Sequence, residues 1–159
     1  MGNSIGICCK KCDYMSVFML QIGMNDFFLS GMDTSSYRYY CIYTGEYTDF
    51  VSEESILRST SQTYGISEEV IKLLQKGEAL IEGEYGYKIY ACPKCNDLSS
   101  QYHVCWLYDG KINHNHHYCE KCESLLEIFD INKISKYACP SCGNFNLQQD
   151  YSCGYYDWD

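Results

Sequence analysis

The chain has 159 residues, enough for one ordinary domain or two small ones, and its 46% apolar content suffices for a core. Its formal charge is −9, with 12 Lys and Arg scattered among 21 Asp and Glu, so it lacks the basic footprint that phosphate backbones require. No stretch approaches the roughly 20 apolar residues of a membrane span, and residues 1–12 carry no run long enough for a signal peptide. The expectation is a protein of the reducing cytoplasm with no membrane association. The 17 Tyr, 13 Ile and 3 Ala suggest an AT-rich bacterial or phage genome.

Residues 4–24 read as strand, Cys-x-x-Cys turn, strand, with Cys9 and Cys12 in the turn and Val17 to Ile22 as a buried strand. The Gly/Ser/Thr/Asp cluster at 30–36 is a loop, and YRYYCIY after it has strand propensity. Residues 52–77 form a helical insertion: Ser52 and Ser67 each precede two glutamates and an apolar run, and Gly77 follows the second. Val70, Ile71, Leu73 and Leu74 give that second helix an apolar face for the core. Ala79 to Ile81 and Tyr85 to Ala91 read as strands. QYHVCWLY and KINHNHHY form a hairpin about Asp109-Gly110. Leu147 to Cys153 makes a last strand, and YYDWD a frayed tail.

Four Cys-x-x-Cys pairs punctuate these elements: Cys9/Cys12, Cys92/Cys95, Cys119/Cys122 and Cys139/Cys142. Two cysteines at this spacing present both sulfurs from one tight turn, and two such turns complete a tetrahedron of thiolates. The only prolines, Pro93 and Pro140, follow the first cysteine of a pair, where a fixed φ and a missing donor suit the turn. Gly143 follows Cys142, where such a turn needs positive φ. Eight thiolates imply two four-cysteine sites and two Zn²⁺ per chain, with iron as the rival ion. Disulfides fit a reducing compartment poorly, and the repeated spacing is a poor disulfide framework.

The segments CPKC and CPSCG resemble the knuckles of zinc-ribbon, rubredoxin-like proteins, and residues 88–143 match that pattern best. The run KGEALIEGEYGYKIYACPKC, with CKKCDY near the start, is similar to small bacterial zinc-ribbon proteins of unassigned function. The resemblance implies short antiparallel strands joined by metal-holding knuckles. The expected fold is therefore β-rich α+β, a single compact unit over 1–159 with zinc-ribbon-type sites.

Two pairings of knuckles compete. The 101–118 hairpin brings Cys92/Cys95 to Cys119/Cys122 and leaves Cys9/Cys12 to join Cys139/Cys142. Against this, the sixteen residues between Cys122 and Cys139 fit the usual spacing of about 15–20 better than the twenty-three between Cys95 and Cys119. Cys8 competes with Cys9 as a ligand, Cys41 and Cys105 read as core, and Cys153 is uncommitted.

No nucleophile–base pair or phosphate loop stands out, so the chain reads as a non-enzymatic zinc-binding adaptor. Its acidic, tyrosine-rich surface suits a protein partner. The alternatives are a nucleic-acid-binding ribbon, with tyrosines stacked on bases, and a metal-dependent hydrolase using His114, His116 and His117. On a strand His114 and His116 share a face, and His117 points to the other.

Overall fold

Among the described residues the chain forms three three-stranded antiparallel sheets, and two of them are built to one plan. The computed structural model describes residues 3–21, 39–41, 46–48, 58, 61–62, 65–81 and 85–152. In chain order, β1 (Asn3–Cys9) and β2 (Met15–Leu20) form a hairpin around the first Cys-x-x-Cys turn. β3 (Tyr39–Cys41) pairs with β4 (Glu46–Thr48). Helix α1 (Glu68–Gln75) leads to β5 (Leu80–Ile81). β6 (Gly86–Ala91) and β7 (Leu98–His103) form a second hairpin around Cys92–Cys95. β8 (Cys105–Tyr108) and β9 (Lys111–His114) meet at Asp109-Gly110, both at positive φ, as a tight two-residue hairpin turn demands. β10 (Glu127–Ile128), a 3-10 helix over Ile131–Lys136 and β11 (Leu147–Asp150) complete the chain.

The common plan is a hairpin with a knuckle in its turn, plus a third strand delivered by a second knuckle. β11 follows Cys139–Cys142 and pairs with β1, while β10 follows Cys119–Cys122 and pairs with β6. The sheet orders are accordingly β11-β1-β2 and β10-β6-β7. Cys8 pairs with Met15 in one hairpin and Ala91 with Leu98 in the other, the same register about each knuckle. The third strands are one residue out of step: Leu147 faces Cys9, and Glu127 faces Ala91. The second unit lies wholly within the chain between the two halves of the first.

One core joins both sheets. Ile5, Ile7 and Phe18 of the first pack with Ile89, Ala91 and Leu98 of the second, and with Phe129 and Leu147. Gln21 and Tyr87 exchange two backbone hydrogen bonds, 2.9 and 2.7 Å, that link the sheets edge to edge. A second core forms where α1 meets β7 and β8, with Ile66, Ile71, Tyr102 and Val104 all buried. Burying each of these isoleucines contributes about 1.5–3 kcal/mol. Ser67 caps α1 by accepting the Val70 amide at 3.3 Å, and Gly77, at φ +70°, takes up the left-handed turn beyond it. The fold is thus strand-rich with few helices, and among the described residues no helix is long and apolar enough to cross a membrane.

Three local expectations change. The Val17–Ile22 strand is not fully buried: β2 ends its sheet, so Phe18 points into the core while Met15, Val17 and Met19 lie exposed on the other face. The hairpin about Asp109-Gly110 begins at Cys105 rather than Gln101, because Gln101 to His103 belong to β7 and pair with β6. Cys105 is half-buried rather than core, with its sulfur on an imidazole. The expected first helix beyond Ser52, the 30–36 loop, Ile22, Cys153 and the YYDWD tail lie largely or wholly outside the described residues.

Candidate metal centres

The strand ends set the sulfurs. In all four knuckles the amide of the first cysteine donates to the carbonyl five residues on: Cys9 to Tyr14, Cys92 to Asp97, Cys119 to Ser124 and Cys139 to Asn144, at 2.8–2.9 Å. This bond closes the turn and holds both cysteines of a pair on its inner side. In three knuckles the residue after the second cysteine also donates back to the first, from Asn96, Glu123 and Gly143. These three have φ of 61°, 58° and 72°. Asp13, at the same place in the first knuckle, is not among the positive-φ residues.

The left-handed position is easy for glycine, tolerable for asparagine and unfavourable for glutamate. A Cβ on Gly143 would meet nothing within 4 Å, so only the backbone resists substitution. Gly143→Ala is expected to destabilise the metal-loaded protein by about 1 kcal/mol, and Glu123→Gly to stabilise it by about 0.5 kcal/mol. Thermal melts of both variants check the opposite signs.

The turns bring the eight sulfurs together as two quartets, Cys9/Cys12/Cys139/Cys142 and Cys92/Cys95/Cys119/Cys122, each with all sulfurs within 4.8 Å of one another. This is the pairing in which the two chain ends meet, and Cys9 rather than Cys8 takes part. Cys8 Sγ instead receives the Gln148 side-chain amide at 3.3 Å. Contacts across each quartet repeat: first cysteine to second, Cys9–Cys142 at 3.7 Å and Cys92–Cys122 at 3.4 Å; second to first, Cys12–Cys139 at 3.6 Å and Cys95–Cys119 at 3.5 Å.

These spacings select among chemistries. A disulfide needs sulfurs about 2.05 Å apart. A tetrahedral ion held by four thiolates at the zinc–sulfur distance of about 2.3 Å sets them about 3.8 Å apart. The observed separations sit near the second value, and both quartets could hold a metal ion. Amides support the sulfurs: Lys11 N–H to Cys9, Cys95 N–H to Cys92 and Ser141 N–H to Cys139, each at 3.4 Å.

The thiols of a quartet do not ionise alike. The Asn144 side-chain amide, 3.3 Å from Cys142 Sγ, lowers that thiol to about 6, and the Ser124 hydroxyl, 3.5 Å from Cys122 Sγ, does the same. Cys12 and Cys95 go the other way, to about 12. The backbone at Tyr14 and Asp97 favours their thiolates, but lost hydration and the three neighbouring sulfurs outweigh it. Four negative sulfurs this close need a cation among them, and binding one releases the remaining protons.

The chain matches no family model, no curated protein and no solved structure. Its site therefore rests on its own geometry.

The histidines divide. His117 donates from Nε2 to the Tyr102 carbonyl at 2.8 Å and packs edge-on against Tyr90, so its ring is engaged in the second core's polar rim. His114 and His116 are exposed neighbours with ring centroids 4.6 Å apart. Sequence reasoning missed Asn115, buried between them in the chain, which accepts the Val104 amide at 3.0 Å and donates to the Tyr102 carbonyl. It also missed the pairing of His103 with Cys105 at 3.4 Å, although the two stand at alternate positions of a strand-like run.

Proposed function

We propose that this is a zinc-ribbon-type protein in which two Zn²⁺ ions are structural and the metal-held sheets present a surface to a protein partner. The observation that carries the reading is the repeated cross-pairing of sulfurs at 3.4–3.7 Å in two quartets of the same build. Closed four-thiolate sites leave no position for water or substrate, which suits a structural ion better than a catalytic one. Zinc suits four thiolates with no redox demand, and iron accepts the same set.

Support for an interaction role comes from β2. Met15, Val17 and Met19 point from one face of an end strand and are 62%, 49% and 44% exposed. A row of exposed apolar side chains, two of them adaptable methionines, suits contact with another protein. The charge of −9 favours a partner with basic surface over a phosphate backbone.

Elemental analysis of untagged protein purified under reducing conditions tests the metal. Two zinc per chain are expected, falling to one in Cys119→Ser and to one in Cys9→Ser. Iron in place of zinc, or no metal with oxidised thiols, overturns the assignment. Crosslinking of Val17→Asp against the parent tests the surface: the parent is expected to capture a partner that the variant loses.

A further inference from the structure

Outside the quartets, further soft donors stand near one another at the open end of the β8–β9 hairpin. Cys105 opens β8 and stands directly across the ladder from His114, the last residue of β9. Opposed residues on an antiparallel pair share a face, with Cβ atoms about 4.5–5.5 Å apart. His103, ending β7, aims Nε2 at Cys105 Sγ from 3.4 Å. A thiolate and an imidazole sharing a tetrahedral ion, at about 2.3 and 2.05 Å, lie about 3.6 Å from each other.

Each imidazole has its Nδ1 beside an oxygen. His103 Nδ1 lies 2.8 Å from the Tyr90 hydroxyl, and His114 Nδ1 lies 3.0 Å from the Asn115 carbonyl. A carbonyl only accepts, so His114 carries its proton on Nδ1 and keeps the Nε2 lone pair for a ligand. Metal-bound histidines characteristically hold their outer nitrogen on an oxygen in this way. His114 stands further off, its ring centroid 6.4 Å from that of His103, and its exposed side chain must turn inward, releasing the Asn115 carbonyl, to reach the ion.

We propose that Cys105, His103 and His114 form a third metal site, for a borderline-soft divalent ion such as Zn²⁺ or Co²⁺. Three protein ligands leave one position open, which water or the neighbouring His116 fills. The site differs from the quartets in kind: it is mixed in donors and open on the side of the exposed His114, so its ion exchanges, whereas the quartets are closed. It does not depend on which metal the quartets hold.

The test is a Co²⁺ titration of the full, reduced, zinc-loaded chain, followed by the thiolate-to-cobalt absorption band, with zinc content measured throughout. One equivalent of cobalt is expected to bind while both zinc ions stay, with a band of single-thiolate intensity. Cys105→Ser is expected to abolish the band, and His114→Ala to weaken binding at least tenfold. His114 is exposed, so that variant should keep the parent's far-ultraviolet spectrum. The proposal is overturned if the parent binds no cobalt beyond the quartets. It is equally overturned if the band survives Cys105→Ser, or if cobalt enters only as zinc leaves.

Discussion

A strong chelator with reductant is expected to erase most of the far-ultraviolet signal and the cooperative melt, and added zinc to restore both. The strands are short, from two to seven residues, and the core around the second quartet consists of little besides Tyr90, Leu126 and the cysteines themselves. Structural zinc contributes about 10–16 kcal/mol of apparent free energy in small domains at pH 7. A whole domain's net stability is about 5–15 kcal/mol. Losing both ions therefore removes more than the fold has to spare. Cys139→Ser should leave a chain with the β1–β2 hairpin and β11 untied, and so lose a large part of its structure. A stripped protein with an unchanged spectrum and melting point would show that side-chain packing alone holds the sheets.

The next largest effect is expected from Asn115→Ala, with about 3 kcal/mol lost and both metals kept. Asn115 is 4% exposed and acts as a clamp between β7 and the β8–β9 hairpin. Its Oδ1 takes the Val104 amide, its Nδ2 serves the Tyr102 carbonyl, and its own amide bonds the Val104 carbonyl at 3.3 Å. Alanine keeps the last bond and removes the other two. That strands the Val104 amide in a core where Val104 is fully buried, at about 1–3 kcal/mol for the orphaned donor. The lost support for the carbonyl and the vacated volume add to this. Urea denaturation of the zinc-loaded variant checks the figure, and a change below about 0.5 kcal/mol would mean the clamp is dispensable.

The quartets were the most legible part of the molecule, because ligand spacing is a local property that a turn imposes. The strands around the first knuckle and the strand leading into the second were legible too, as was the helix that Ser67 and Gly77 bracket. The choice between two pairings was less legible: Cys122 and Cys139 had the more usual spacing, and only the hairpin between the second and third knuckles argued for the arrangement found. β2 misled because Val17 to Leu20 are apolar without alternation, and composition does not reveal which face of a sheet stays open. Asn115 was hidden among histidines that drew attention as ligands, while the polar atom with buried partners was the amide beside them. Glu123 gave no sign of its left-handed backbone; Gly143, at the equivalent place, did.

The two halves of the first unit enclose the second, and this dictates an order of assembly. Emerging from the ribosome, the chain completes its inner quartet at Cys122, while Cys9 and Cys12 were made first and stay unmatched until Cys142 appears. Closing a short loop costs less entropy than closing one that spans most of the chain. The inner ion is thus captured first, and the outer ion acts as a latch. Until it arrives, the earliest-synthesised thiols are the ones left longest open to oxidants and to competing metals.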